Sequence, residues 1–317
     1  MFKLRTLLAQ IVSLSGTYSL FQPLLSRSYG GFILAFHNLK PERFIQHIEA
    51  LKPNQPVPLS DLIIRAADQK STSGLFAITF DDGVGETVNT IAEVAVKRNW
   101  PVTFFLPTGY LDDTPQGMVF QWWRGSEPFL PRTKIHLPHF GDFDLSSNIN
   151  QKRFKRYVKN FIYTSPASES GLLISEVVDL LIKNGDAREE WIMPPAPITW
   201  DEVSRLSANS FIEFGSHGVS HSPMSSLSLE QLEQELVASK QKISEFTKLP
   251  CKHFCYPFGN MASIGHLAPK IVAKHYHSGL TMRRGRIGKH RSFYLLPRIP
   301  FYQRDNANMA RLKILAR

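Results

Sequence analysis

The sequence predicts an α/β fold built on a parallel sheet that is either open or closed into a barrel. Short apolar segments alternate with helical ones along most of the chain. Leu75–Phe80 is apolar almost throughout, as in a strand buried on both faces. Two capping boxes, Thr199 with Glu202 and Ser228 with Gln231, predict helix starts between the later strands.

The predicted elements follow one another in chain order. In the first part of the chain we expect strands at 32–37, 75–80 and 101–107, a short extended segment at 56–60, and helices at 41–51, 61–67 and through 88–95, the last ending at Asn99. In the last part we expect helices that begin at Thr199 and Ser228 and strands at 211–217, 253–258, 275–281 and 294–301.

The alternation lapses between residues 108 and 196. Sequence patterns there predict a hairpin at 134–146 and helices at 151–163 and 170–184. A structureless loop of this length is improbable inside a compact domain. We therefore expect an insertion, about 108–196, that forms a small helical subdomain on one rim of the main domain.

Composition is that of an ordinary globular protein of 317 residues, 43% hydrophobic and 20% charged. The net charge of +10 favours anionic partners. No run of five or six basic residues marks a nucleic-acid site, so we expect no nucleic-acid binding. The short basic clusters at 152–159 and 281–291 are interpreted as solvated surface. Cys251 and Cys255 predict two buried free thiols rather than a disulfide framework.

The N-terminal segment, residues 1–26, is apolar but interrupted by Gln10 and Ser13. It has no small-residue cleavage site and is too polar to span a bilayer. We expect residues 1–30 to form an amphipathic helix that packs on the domain or lies on a membrane surface, with a weak signal-like segment as the alternative. One domain, 31–317, follows. A cytoplasmic or peripherally membrane-associated location is favoured over a secreted or periplasmic one, and the oligomeric state is not predicted.

Four side chains with metal-binding chemistry lie at the carboxyl ends of two predicted strands. Asp81 and Asp82 follow one strand, and His217 and His221 lie at the end of another and just beyond it. The loops after parallel strands open onto one rim, so these groups are expected to meet. Asp82, His217 and His221 form a ligand set for a divalent cation that leaves coordination positions open.

Such a cation would offset the repulsion between the adjacent carboxylates and leave Asp81 free to act as a base that takes a proton from water. Gly83 lets the backbone turn sharply. Each motif alone has a simpler interpretation. Adjacent aspartates also start turns or cap helices, and a His-x-x-x-His spacing arises by chance in a chain with 11 histidines. Their joint position at strand ends favours the metal site.

Seven segments in order resemble the polysaccharide deacetylases, carbohydrate esterase family four: ILAFHNL, FAITFDDG, PVTFFLPTGYL, ITWDEVSRL, IEFGSHGVSH, FCYPFGN and LPRIP. They cover nearly the whole chain after residue 30. The resemblance implies a distorted, TIM-like (β/α) barrel of about seven strands, with the insertion on its catalytic rim. It also implies a metal-dependent hydrolase that removes N- or O-acetyl groups from sugars.

Matched residue by residue, the resemblance implies that Asp81 is the catalytic base and that Asp82 is a metal ligand. It implies the same ligand role for His217 and His221. In YPFG, the backbone N–H of Tyr256 is implied to help hold the oxyanion. The rest of that motif is implied to shape the substrate groove, namely Pro257, Phe258 and Gly259.

Three departures from the family pattern concern the machinery around the metal. Gly218 stands where the family commonly has Ser or Thr, and no arginine precedes the aromatic residue of the YPFG motif. LPRIP replaces the Leu-x-His that carries the general acid in many members. Arg298 in this segment is expected to orient Asp81 or to bind substrate, since its high pKa makes it a poor proton donor. His37 is our candidate acid, with a structural hydrogen bond as the alternative.

The resemblance implies a hydrolase acting on carbon–nitrogen bonds other than peptide bonds, which removes acetyl groups from a cell-envelope glycan or a lipid-linked amino sugar. Zinc is the expected metal, with cobalt, manganese and nickel as alternatives. Two rival functions stay open: a deformylase or amidase for another N-acyl sugar, and a catalytically silent glycan-binding relative. Trp122 and Trp123 suit stacking on sugar rings, but we expect them to anchor the insertion to the barrel.

Overall fold

The computed structural model describes residues 30–112, 118–287 and 292–315. Within these residues the main sheet is parallel and curled. Its path runs β10-β1-β3-β4-β7-β8-β9, with β2 paired to β3 off this path, while β5 and β6 form a separate antiparallel hairpin. The strands are β1 (Phe32–Phe36), β2 (Gln55–Pro56), β3 (Leu75–Phe80), β4 (Val102–Leu106), β5 (Lys134–Leu137), β6 (Gly141–Asp144), β7 (Ile212–Ser216), β8 (His253–Cys255), β9 (Ser278–Leu280) and β10 (Ile299–Pro300).

Helices surround this sheet and build most of the insertion. They are α1 (Pro41–Ala50), α2 (Leu59–Ala67), α3 (Gly85–Arg98), α4 (Thr108–Leu111), α5 (Val119–Ser126), α6 (Asn148–Thr164), α7 (Ala167–Lys183), α8 (Glu189–Ile192), α9 (Trp200–Ser207), α10 (Leu229–Thr247), α11 (Met261–Ile264), α12 (Ala268–His275) and α13 (Ala307–Leu315). Both predicted capping boxes are present, at the starts of α9 and α10. Asn99 ends α3 in the left-handed conformation, as expected of a C-terminal cap.

The segment 296–301 joins the two edges of the curled sheet. Leu296 donates its backbone N–H to the carbonyl oxygen of Gly279 in β9 (2.8 Å), and Phe301 donates to that of Ala35 in β1 (3.0 Å). The result is the distorted barrel that the sequence predicted. The same connection carries Arg298 into the barrel interior, where its side chain has no exposed surface.

The insertion has a hydrophobic core of its own, separate from that of the barrel. Trp123 is buried in it and packs edge-to-face on Phe154, and Trp122 packs against the same cluster. These tryptophans therefore hold the insertion together, and the expectation that they anchor it to the barrel is wrong. Phe258, from the loop after β8, packs against this core instead.

Several strands are shorter than the sequence predicts. β8 ends at Cys255, before Pro257, and β10 covers only Ile299–Pro300 in a segment with prolines at 297 and 300, because proline lacks the N–H that a ladder needs. α12 extends to His275 and takes up the start of the predicted strand 275–281. The predicted N-terminal helix lies outside the described residues. Among the helices of the described part, none has the length and apolarity that a membrane span requires.

Candidate metal and catalytic site

Asp82, His217 and His221 converge at the carboxyl ends of β3 and β7. The Oδ1 atom of Asp82 lies 3.8 Å from Nε2 of His217 and 3.7 Å from Nε2 of His221, and the three ligand atoms all lie within 4.8 Å of one another. These separations are too long for hydrogen bonds. Ligand atoms roughly 2.0–2.2 Å from a shared zinc ion would have spacings of this order. All three side chains are nearly buried, so the donor set fits a divalent cation.

The backbone at two of these residues is strained. Asp82 has φ +74° and His221 has φ +56°, both in the left-handed region. Such residues cost roughly 1–3 kcal/mol each and cluster at functional sites. Gly83, at φ +67°, continues the turn, and a Cβ there would lie 3.0 Å from the Leu106 side chain. Glycine thus permits both the turn and the packing on β4.

The tautomer of His217 is fixed by a hydrogen bond. Its Nδ1 lies 2.6 Å from the carbonyl oxygen of Cys255, which can only accept, so Nδ1–H donates and the Nε2 lone pair is left free. Burial lowers the pKa of His217 to about 4 and that of His221 to about 3. Both rings are therefore neutral near pH 7, the protonation state in which imidazole binds a metal.

Glu235 of α10 anchors the loop between the two histidines. Its carboxylate accepts backbone hydrogen bonds from Val219 (2.6 Å) and Ser220 (3.1 Å) and a third from the Ser220 hydroxyl (2.5 Å). Gly218 has φ +82°, and a Cβ there would lie 2.9 Å from a Glu235 oxygen. The carboxylate thus replaces the hydroxyl that the sequence lacks at position 218.

Asp81 is held by Arg298 rather than by the metal group. Arg298 donates from both terminal nitrogens to the two carboxylate oxygens, each at 2.7 Å, and also donates to Thr79 Oγ1 and the Thr281 carbonyl oxygen. Burial alone would raise the pKa of Asp81, but the charge and hydrogen bonds of Arg298 outweigh it and hold that pKa well below its ordinary range. The guanidinium has no exposed surface and is inaccessible to substrate. Of the two roles expected for Arg298, orienting Asp81 is therefore favoured over binding substrate.

A second group of potential ligands, Asp81 with His217 and Cys255, also lies within 4.8 Å. Arg298 occupies its surroundings, since one terminal nitrogen lies 3.0 Å from the Cys255 sulfur and 2.7 Å from Asp81. A fixed cation at this distance opposes a metal ion. Burial also raises the pKa of Cys255, which disfavours the thiolate that a metal needs.

His37 lies on the same rim, at the end of β1. Its Nε2 is 3.8 Å from Asp81 Oδ2, and 41% of its side chain is exposed. The ring is therefore close to the candidate base and open to a ligand. Its role as acid stays a prediction.

The structure contradicts the assignment of the Tyr256 N–H to the oxyanion. That N–H donates to the carbonyl oxygen of Leu280 (3.0 Å) as the β8–β9 pairing continues, so it is not available to a ligand. Pro257 has no N–H, and the Gly259 N–H donates to the carbonyl oxygen of Pro257. The N–H of Phe258 donates to no acceptor among the described residues. It is therefore the N–H of this loop that is available to an oxyanion.

An aromatic wall connects the site to the insertion. The ring of Phe258 lies 4.9 Å from that of His221 and 4.5 Å from that of Tyr163 on α6, measured between centroids. Phe120 of α5 packs on both aromatic rings, 6.2 Å from Phe258 and 6.0 Å from Tyr163. Gln121 of the same helix donates to Asp82 Oδ2 (3.3 Å). Sequence reasoning missed this amide, which no motif marks.

A family model described as polysaccharide deacetylase matches residues 161–270, which include the histidines and the YPFG loop but not the aspartates. No curated protein matches the sequence.

Several solved structures share the fold. The Streptococcus pyogenes deacetylase PplD, in complex with acetate, is 14% identical over 88% of this chain and 95% of its own, with a TM-score of 0.53. IcaB from Ammonifex degensii is 14% identical over 89% and 97%, with a TM-score of 0.54. The BpsB deacetylase domain from Bordetella bronchiseptica is 13% identical over 85% and 94%, with a TM-score of 0.54. These findings confirm the resemblance predicted from the seven segments. The chain is similar to the polysaccharide deacetylases in two respects: their family model matches residues 161–270, and solved structures of deacetylases share its fold.

Proposed function

We propose that this protein is a metal-dependent deacetylase that removes N-acetyl groups from an amino sugar of a glycan or of its lipid-linked precursor. The observation that carries the proposal is the convergence of Asp82, His217 and His221 within 4.8 Å, beside a buried aspartate on the same rim. The deacetylase family model and the shared fold support the same reaction class. Zinc is the proposed metal, because two imidazoles and one carboxylate suit it.

Asp82, His217 and His221 would hold the metal. When bound, a divalent cation polarises a carbonyl oxygen and lowers the pKa of water, which are the two needs of amide hydrolysis. Glu235 fixes the loop that carries His221, and the carbonyl oxygen of Cys255 fixes the His217 ring. These contacts hold the ligand atoms in place before substrate arrives.

Asp81 would accept a proton from the attacking water. Arg298 keeps this carboxylate ionised and oriented through its two hydrogen bonds. The N–H of Phe258 would donate to the developing oxyanion, in place of the Tyr256 N–H. His37 would give a proton to the departing amine, since it lies beside Asp81 and is partly exposed.

The test uses the purified full chain, stripped with a chelator and reloaded with zinc, with acetate and formate release measured from N-acylated chitooligosaccharides. We expect acetate release that requires metal and falls at least a hundredfold in Asp81→Asn, which is within the usual contribution of a general base of about 10² to 10⁴. Asp68→Asn is the matched control, because this exposed carboxylate pairs with Lys70 and belongs to neither the metal group nor the insertion. Formate release would identify a deformylase instead, and metal binding without turnover would identify a silent relative.

A further inference from the structure

Helix α6 of the insertion carries a basic face that ends beside the candidate site. Its sequence holds five cations and no acidic residue: Lys152, Arg153, Lys155, Arg156 and Lys159. Lys155 is paired with Glu127. Among the described residues, Lys152, Arg153 and Arg156 have no carboxylate partner.

The face is aligned by helical periodicity. Lys152, Arg156, Lys159 and Tyr163 follow one another at intervals of four, three and four residues, so they lie along one side of the helix. The three cations are exposed. Successive positions are separated by about one turn, roughly 5 Å along the axis. This row of three cations is called the cation row below.

Tyr163 links the cation row to the metal group. The Lys159 ammonium lies 5.6 Å from the Tyr163 ring, whose centroid is 4.5 Å from that of Phe258, and Phe258 in turn lies 4.9 Å from the His221 ring. Each step is a direct contact. The row is therefore connected to the site through the rings of Tyr163 and Phe258 and continues from Lys159 along α6.

Acidic side chains nearby do not neutralise the row. β6 packs against α6 and carries Asp142 and Asp144. Asp142 pairs with His136, and Asp144 accepts a hydrogen bond from the Ser146 backbone. Neither carboxylate pairs with a cation of the row, whose three charges lie along one side of α6.

We propose that the cation row binds the anionic groups of a glycan chain whose acetylated sugar occupies the candidate site. The proposal rests on the proposed function and deepens it, since it assigns the substrate class as a polyanionic glycan bearing phosphate or carboxylate groups. Charges repeated at each helical turn suit a chain with regularly spaced anions, and the aromatic wall of Phe258 and Tyr163 offers a stacking surface for the sugar between them. The row leads through Tyr163 and Phe258 to the His221 ring, which favours a glycan whose sugar reaches the site over a lipid surface.

The test measures binding apart from turnover, by calorimetry in the Asp81→Asn background. The probes are an N-acetylglucosamine pentamer, its O-phosphorylated form and its carboxymethylated form. The variant K152Q/R156Q/K159Q removes the row. The matched control K183Q/K248Q/K270Q removes three other exposed cations, so the net charge changes equally.

We expect the charged pentamers to bind more tightly than the neutral one. Loss of the row should weaken the binding of the charged pentamers on the order of tenfold, because each exposed ion pair contributes modestly. The difference in affinity between the parent and the row variant should shrink at high salt. The neutral pentamer should bind the row variant as it binds the parent. The stronger of the two charged probes identifies the anionic group.

Several results would overturn the proposal: charged and neutral pentamers that bind equally, a control variant that loses as much as the row variant, or binding to phosphatidylserine vesicles but to no pentamer. Failure of the proposed function would give a different result. In that case the protein would bind charged pentamers through the cation row but release no acetate from any probe.

Discussion

The ion pair between Arg298 and Asp81 gives the sharpest test of the interior of the site. Both side chains are essentially inaccessible, and two hydrogen bonds of 2.7 Å join them. Replacing Arg298 with methionine leaves a buried carboxylate without its guanidinium partner. Removal of one partner of such a pair typically destabilises a protein by about 3–5 kcal/mol. We expect a loss in that range for Arg298→Met at pH 7.

A second variant separates the unpaired charge from the lost packing. Asp81→Asn combined with Arg298→Met removes both charges, so the double variant should be more stable than Arg298→Met alone by about 2 kcal/mol or more. Full recovery is not expected, because Arg298 also donates to Thr79 and to the Thr281 carbonyl oxygen. Arg98→Met is the matched control, since its pair with Glu49 is exposed and should contribute under about 1 kcal/mol.

The assay is urea unfolding of the full chain, followed by circular dichroism and fluorescence so that coincident transitions justify a two-state free energy. Two outcomes would contradict this prediction. One is a loss in Arg298→Met no larger than in Arg98→Met. The other is a double variant no more stable than Arg298→Met.

Three further predictions concern the metal loop and the buried histidines. His221→Gln should abolish tight zinc binding in a calorimetric titration. His253→Gln, which replaces a buried histidine at the first residue of β8, should leave zinc affinity unchanged. Equal affinities of the two variants would contradict the ligand assignment. Glu235→Ala should weaken zinc binding by about 10- to 100-fold, as expected for a residue that orients a ligand loop, with the circular dichroism spectrum retained. Glu233→Ala, which removes a carboxylate of the same helix paired with His275, should have little effect on affinity. Burial lowers the pKa of His253 to about 4; because this is below the ordinary value of 6.5, the unfolded chain takes up the proton first, and stability falls as pH drops from about 6.5 towards 4. The free energy of unfolding of His253→Gln should therefore fall by about 2 kcal/mol less between pH 7 and pH 5 than that of the parent, and identical pH profiles would count against this assignment.

Local signals in the sequence predict the regular elements well. The Thr199 and Ser228 capping boxes each start a helix, because their side chains pair with the N3 backbone as the spacing requires. The apolar run Leu75–Phe80 is a central strand of the parallel sheet. The ends of the strands were harder to predict. Helix α12 includes the first residue of the predicted strand 275–281, and prolines end other strands.

At the candidate site, residue type and strand position predicted the meeting of Asp82, His217 and His221. The contacts of Arg298 were open to two interpretations, because its place in the interior depends on the closure of the sheet by segment 296–301. The roles of Glu235 and Gln121 were not visible, since each reaches the site from an element with no motif of its own. The Tyr256 error arose because the sequence does not show which backbone N–H groups the strand pairing uses.

The most direct test of the central claim is an anomalous difference map from crystals of the full chain grown with zinc. The account predicts one strong peak within about 2.0–2.2 Å of Asp82 Oδ1 and of Nε2 in His217 and His221. A fully occupied zinc ion elsewhere, with these three side chains unliganded, would contradict it.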